Sequence, residues 1–324
     1  VFAQYLLSLY FCRAFFGVVT ERSEFHNLRF SWLIQLKTPS VTVEFFSFFT
    51  FGTVIVNHLK KITKSYNHMK TLIAFTLLLT TTVSIAQQKA FDTNEWLQFR
   101  IHYGWFNASE ATLEVKEDTY KGTPVHHIVG KGKSTGLLHL FFEVDDNYET
   151  YVDKTNGQPY KFIRKINEGG HTKDIEINFD HSKNTALVHN KKYNTKKTFT
   201  TKEKVHDMLS AFYYLRNNLD PTTLTSGEEQ TLNLFFDEEN FKFKLKFLER
   251  ETIKTKFGKI KCLKFRPYVQ AGRVFKEEES LTFWVSDDPN MLPIKIEADL
   301  AVGSLEADLS AFKGLKHPFQ IVVN

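Results

Sequence analysis

The sequence predicts an all-β, mainly antiparallel protein: a curved meander sheet forming a barrel, half-barrel or sandwich, with one amphipathic helix at about 203–219. Three observations carry this. Apolar and polar residues alternate in short runs. Clusters of turn-forming residues separate the runs. One stretch near the middle switches from a period of two to a helical period.

In the first run Leu97, Phe99, Ile101, Tyr103 and Trp105 alternate with Gln98, Arg100, His102 and Gly104. Ala111, Leu113 and Val115 follow, then Ile175, Ile177 and Phe179. Phe241, Phe243, Leu245 and Phe247 enclose Lys242, Lys244 and Lys246. Leu281, Phe283 and Val285, then Ile294, Ile296, Ala298 and Leu300, then Leu305, Ala307 and Leu309 complete the series. Each run has one apolar and one wetter face, as antiparallel strands do. Turn chemistry lies between them at Asn156-Gly157, Gly169-Gly170, Asp180–Asn184, Phe257-Gly258-Lys259 and Asp287–Asn290.

The helical stripe is Val205, Met208, Leu209, Phe212, Leu215 and Leu219, with Thr200 and Glu203 placed for a capping box and Asp220-Pro221 as a stop. It divides the chain into β halves of about 95–198 and 228–324.

Residues 69–86 have the three parts of a secretion signal: Lys70 after Met69, an uncharged apolar core from Thr71 to Ile85, and Ser84-Ile85-Ala86 as small-x-small. The expected working protein is therefore the exported β-rich domain 87–324, cleaved near Ala86-Gln87. Residues 1–68, with eleven Phe and three acids, are expected to be translated upstream sequence that is not structured. The alternative is a membrane-associated leader, because Val41–Val56 is apolar and Phe-rich. No Cys follows the signal core, so no lipid-anchor site is expected, and no transmembrane span is expected in the mature chain.

Export also changes the charge reading. The whole chain carries +5, but seven Lys/Arg of residues 1–68 and Lys70 belong to the removed part. What remains has 34 bases and 34 acids, so no global electrostatic case for nucleic acid or an anionic membrane survives. Cys262 is alone in that part, which excludes an intrachain disulfide there. It reads as a small buried apolar residue.

Three groups of residues are candidates for chemistry. The helix carries His206, Asp207, Ser210, Tyr213, Tyr214 and Arg216. A Ser, a His and an Asp invite a hydrolase reading, but His206 and Asp207 diverge by about 100° on a helix, and no glycine elbow presents the Ser. Asp207 is better read as a cap or an ion-pair partner. The second group, Trp284 through Asn290, could offer carboxylates to calcium, but its spacing fits a turn with Asx hydrogen bonds. The third is histidine: His126, His127, His139, His171, His181 and His189 lack metal-ligand spacing. No cofactor or metal site is expected. Phe141, Phe142, Tyr148, Tyr151, Tyr160, Phe162, Tyr213 and Trp284 are candidate linings of an apolar groove, or simply core.

The segments Phe99–Phe106, Asp207–Arg216, Phe257–Cys262 and Phe283–Asp288, followed by Leu292-Pro293-Ile294 and Gly303-Ser304, resemble in this order an exported bacterial domain-of-unknown-function family (DUF, three-one-zero-eight). The resemblance covers roughly 95–315. Where the family tends to have a Gly after the first strand's bend, this chain reads Asn107-Ala108-Ser109. The resemblance implies a β-rich periplasmic protein of a Gram-negative envelope and brings no activity. It implies that Asp207, Ser210, Tyr213, Arg216, Trp284, Asp287 and Asp288 form one constellation, either a binding site or a clasp in which Arg216 pairs with Asp207 or Asp287.

The function expected is non-catalytic binding of an apolar or amphipathic envelope component, such as a lipid or lipoprotein-like ligand. The alternative is an envelope scaffold working by protein contact, with a hydrolase-type enzyme third.

Overall fold

The computed structural model describes residues 89–136, 139, 142–269, 281–299 and 303–322. The expectations for residues 1–68, the signal at 69–86, the Ala86-Gln87 cleavage site, Phe141 and Leu300 lie outside the described residues.

Among the described residues, fourteen strands and one helix make up the fold. The first half runs β1 (Trp96–Tyr103), β2 (Phe106–Tyr120), β3 (Thr123–Ser134), β4 (Asp145–Asp153), β5 (Pro159–Glu168), β6 (His171–Asp180), β7 (Thr185–Asn190) and β8 (Thr195–Thr200). Helix α1 (Met208–Asn218) follows. The second half runs β9 (Glu229–Phe236), β10 (Glu239–Thr255), β11 (Gly258–Val269), β12 (Leu281–Ser286), β13 (Pro293–Asp299) and β14 (Ser304–Lys313). The turns read from the sequence at Asn156-Gly157, Gly169-Gly170, Asp180–Asn184, Phe257-Gly258-Lys259 and Asp287–Asn290 all connect consecutive strands. At Gly169 the demand for glycine is steric as well as conformational: φ is +56°, and a Cβ would lie 2.4 Å from the Phe142 ring.

All fourteen strands form a single antiparallel sheet in the order β8-β7-β6-β5-β4-β3-β2-β1-β14-β13-β12-β11-β10-β9. Two meanders are thus joined where the first strand meets the last, with Leu97 opposite Phe312 and Ile101 opposite Ala307. The two sheet edges, β8 and β9, are consecutive strands in the middle of the chain. They do not pair with each other, so the sheet stays open at one seam. Residues 201–207 and α1 occupy the connection across it. His206 makes a parallel bridge to Leu234 of β9. Asn240 of β10 accepts from the Lys202 amide (3.0 Å) and donates to the Thr200 carbonyl (2.8 Å).

The β9–β10 turn is also held by the first meander. Arg164 and Lys173 donate to Asp237 at 2.7 and 3.0 Å, and Phe162 and Phe179 meet Phe236 and Phe235. Asp237 and Glu238 both have positive φ, 44° and 72°. Such a tight primed turn normally takes Asn or Gly. Here the side-chain anchors on β5 and β6 hold a less favourable sequence in place.

The inner face buries Leu97, Phe99 and Ile101 of β1 with Ile294, Ile296, Ala298, Leu305, Ala307 and Leu309 of β13 and β14. A satellite cluster of Phe91, Val115, Ile128, Val152 and Tyr213 receives the helix.

Three sequence expectations change in detail. The first strand stops at Tyr103, leaving Trp105 92% exposed at the hairpin tip. The bend at Asn107-Ala108-Ser109 is a β-bulge: Ile101 faces Ser109, His102 faces Asn107, and buried Ala108 is skipped. The helix is shorter than 203–219. Its N-cap is Asp207 rather than a Thr200–Glu203 box, because strand pairing to β9 takes the backbone of His206 first. Its buried face is also less apolar than its stripe, carrying Ser210, Tyr213 and Arg216 beside Leu209 and Ala211.

Candidate functional site

The Asp207–Arg216 motif forms a buried polar clasp. Asp207, in extended conformation, accepts from the Ser210 amide through Oδ1 (2.9 Å) and from the Thr150 hydroxyl through Oδ2 (2.6 Å). The cap therefore satisfies one of the helix's free amides and ties α1 to β4. Burial pushes the Asp207 carboxyl up to about 6. The Ser210 hydroxyl donates back to the Asp207 carbonyl (3.1 Å). His206 packs its ring on Tyr214, with centroids 4.6 Å apart, and burial lowers it to about 4. No Ser–His–Asp relay is assembled.

Arg216 pairs with neither Asp207 nor Asp287. Its guanidinium is clamped in bidentate fashion by Glu95, which precedes β1, at 2.6 and 2.8 Å, and it donates to the Asn290 carbonyl at 2.9 Å. Glu95 lies 121 residues upstream, outside any motif the helix suggests. The rings of Phe91, Phe212 and Tyr213 surround the cation. Burial raises the Tyr213 hydroxyl above its ordinary value, with the Glu95 carboxylate adding to the effect. The Arg216 Nε, the Tyr213 hydroxyl and Asp288 Oδ2 are buried with no hydrogen-bond partner among the described residues.

The β12–β13 turn enters the clasp through one of its two acids only. Asp288 Oδ1 accepts from the Ser286 hydroxyl (3.0 Å) and the Asn290 amide (2.8 Å), an Asx-type turn that sets the Asn290 carbonyl against Arg216. Asp287 turns outward and meets Arg250 at 3.4 Å.

Trp284 lies on the other face of the sheet. Its indole N–H donates to Glu251, and Lys264 and Lys295 lie 5.4 and 5.3 Å from its ring. Trp284 also belongs to the main buried cluster, so core side chains together with the lysine stems cover it. The seven residues implied as one constellation are therefore split. Asp207, Ser210, Tyr213, Arg216 and Asp288 come together; Asp287 and Trp284 do not join them.

The candidate linings separate in the same way. Tyr148, Phe162 and Tyr213 are fully buried core residues. Tyr151 and Tyr160 belong to an outer-face group: Tyr151 stacks on His127, and Tyr160 stacks on Tyr120. His126 and His127 point to opposite faces, as alternation requires. His126 lies against Phe91, whereas His127 binds Glu149 at 2.8 Å and helps hold that carboxyl at about 2. Cys262 is buried and unpaired, and burial pushes its thiol up to about 12.

One group was not legible in the sequence. The bulge beside His102 turns its ring toward Glu306 and Asp308 of β14, and potential ligand atoms of the three residues all lie within 4.8 Å of one another. Lys295 bonds Glu306 (2.8 Å) and Glu297 (2.7 Å) on the same face. More than 200 residues separate His102 from Asp308, and only the β1–β14 pairing brings them together.

Among the described residues no helix is long and apolar enough to cross a membrane. Solved structures similar to this chain include a β-barrel-like protein of the DUF1849 domain of unknown function from Brucella abortus. It is 7% identical, with 69% of this chain and 99% of that one covered, at a TM-score of 0.45. A DUF1089 family protein from Pseudomonas aeruginosa is 8% identical, with 58% and 88% covered, at a TM-score of 0.32. At these identities and scores the two likenesses say nothing about activity. No curated protein matches the chain. The family model for a protein of unknown function, DUF3108, matches residues 98–310, from β1 into β14, and the chain belongs to that family.

Proposed function

We propose that the chain is an exported periplasmic protein, not lipid-anchored, that binds an apolar or amphipathic envelope component without catalysing a reaction. The observation that carries this is an apolar stripe beside the open seam. On β10, Phe241, Phe243 and Leu245 share the face of buried Phe247, yet all three are only half-buried, as is Leu232 opposite Phe243 on β9. Their neighbours Lys242 and Lys244 are exposed on the other face, where Lys244 pairs with Glu229. The sheet leaves this apolar strip partly open, and burying such surface against a lipid chain is favourable at about 25 cal/mol per Å². The signal pattern at 69–86 supports export. A binding role fits the clasp, whose Asp207 and Ser210 are committed to capping and whose Arg216 is committed to Glu95.

A second reading, docking of an envelope protein by β-addition, is favoured by the sheet's open edges: the Glu229–Leu232 half of β9 pairs with β10 alone among the described strands. Native mass spectrometry of protein purified from its own envelope tests the first reading. Wild type is expected to carry a lipid mass, and Phe243→Asp to lose it while keeping its β circular-dichroism spectrum. Wild type free of any lipid would remove the lipid reading. Cross-linking in the envelope would then show whether a protein partner occupies β9.

A further inference from the structure

We propose that His102, Glu306 and Asp308 form a binding site for a divalent transition cation of the zinc class on the outer face of the sheet. The His102 side chain is 8% exposed and its ring is fixed by two contacts. Nδ1 lies 2.7 Å from the Gly104 carbonyl oxygen. A carbonyl only accepts, so Nδ1 carries a proton and donates it. Nε2 then faces Asp308 Oδ2 at 2.8 Å, with Glu306 Oε2 at 4.0 Å. In the neutral ring this nitrogen presents a lone pair to two carboxylates, and a cation would relieve this once the Asp308 side chain moves back from 2.8 Å to the roughly 3.3 Å that two ligands of one tetrahedral ion need. Either a second ring proton or a bound metal ion supplies that cation.

The arrangement favours the metal. A ligating histidine characteristically donates its other ring N–H to a carbonyl or carboxylate, which fixes the tautomer and the ring orientation. Here that outer partner is already in place, in a hairpin whose turn is set by Gly104 at φ +53°. One imidazole and two carboxylates suit zinc or a neighbouring first-row ion better than magnesium or calcium, which take mainly oxygen ligands. The three side chains come from adjacent strands, so the sheet sets their spacing. The bulge between Ile101 and His102 aims the ring. The Asp308 side chain is 42% exposed, which gives an ion a way in and leaves coordination positions for water or a partner's side chain. Lys295, 2.8 Å from Glu306, competes for one ligand, so moderate rather than femtomolar affinity follows.

Zinc titration of the purified, chelator-stripped full chain by isothermal calorimetry, paired with nitrogen NMR of the histidine rings, tests the site. One equivalent of zinc is expected to bind, shifting His102 Nε2 to the metallated range while Nδ1 keeps its proton. His102→Gln and Asp308→Asn are each expected to weaken binding at least about tenfold. Lys295→Met, which removes the competing ammonium, should bind zinc at least as tightly as wild type. The two ligand variants are near-isosteric and lie on the outer face, and unchanged circular dichroism checks that they fold. Absence of zinc binding, wild-type affinity in both ligand variants, or a His102 Nε2 that holds a proton at saturating zinc would each overturn the assignment and leave an imidazolium–carboxylate ion pair.

Discussion

The clasp around Arg216 and the ladder around Trp284 use similar residues under opposite conditions. In the clasp a guanidinium, the carboxyls of Glu95, Asp207 and Asp288 and the rings of Phe91 and Tyr213 are buried, with Phe212 partly so. A buried arginine is tolerated only when a matched anion and acceptors surround it, so Glu95 and the Asn290 carbonyl are structural necessities. On the outer face, Lys264, Lys295, Glu251, Glu306 and Asp308 keep contact with water, and the Lys264 and Lys295 ammoniums approach the Trp284 ring. Charges there can exchange partners at little cost. Burial turns one cluster into a lock on the fold. Exposure leaves the other free to accept a ligand.

The largest effect is expected where that lock breaks. Arg216→Met or Glu95→Gln leaves one buried charge without its partner and should lower stability by about 3–5 kcal/mol. Replacing both at once by Glu95→Leu and Arg216→Met removes the stranded charge and should recover much of the loss. Chemical denaturation of the three variants measures this. If the single variants cost no more than Lys264→Met on the outer face, the contrast between the clusters fails.

A smaller effect follows from pH. Burial holds His126 and His206 at about 4, below the ordinary 6.5. The unfolded chain therefore binds more protons between 6.5 and 4, so the stability these neutral rings contribute is present above pH 6.5 and lost on acidification. Asp207 has the opposite sign. Its carboxyl is raised to about 6 from 3.8, so its native form takes up the proton first, and it costs stability as pH rises across that window. Asp207→Asn keeps an N-cap residue and abolishes the titration, with the Thr150 hydroxyl, which now donates to Oδ2, turning to accept from the Asn amide instead. Relative to wild type, the Asn variant should gain roughly 1–3 kcal/mol between pH 4 and 6 and stay level above. Urea midpoints taken across that range check the sign. A difference that shrinks as pH rises would mean that Asp207 is stabilised as a carboxylate.

How far the sequence could be read follows the same division between local and distant. Strand alternation, all five turn clusters and the presence of one helix are local signals, and they survive folding. The cap at Asp207 is local too, although its exact register depended on His206 being drawn into pairing with Leu234. The clasp was half legible: Arg216 stood out, but Glu95 did not, because nothing near residue 95 hints that a helix 121 residues away needs an anion. The His102–Asp308 contact left no signal, since it exists only because β1 pairs with β14. Trp284 was misplaced for a related reason. Alternation says that residues 284 and 283 face opposite ways, but not which face is inner until the whole sheet is assembled.

Asp287 and Asp288 offer the finest version of the comparison, since they are neighbours in one turn with different fates. Asp287 is partly exposed, and its ion pair with Arg250 at 3.4 Å is partly exposed as well. Such pairs contribute about 0–1 kcal/mol, so Asp287→Ala should be nearly silent. Asp288 is buried, and its Oδ1 receives both the Ser286 hydroxyl and the Asn290 amide. Removing it strands two buried donors and loosens the loop that presents the Asn290 carbonyl to Arg216. At about 1–3 kcal/mol for a buried group left without its partner, Asp288→Ala should cost clearly more. Because Asn290 links Asp288 to Arg216, the cost should not simply add to that of Arg216→Met: once the guanidinium is gone, fixing that carbonyl matters less. A double-mutant cycle between Asp288→Ala and Arg216→Met should therefore show coupling, and the same cycle between Asp287→Ala and Arg216→Met should show none. Equal coupling for both acids would mean that the turn is held as a unit and that the inward–outward distinction between its two carboxylates has no energetic content.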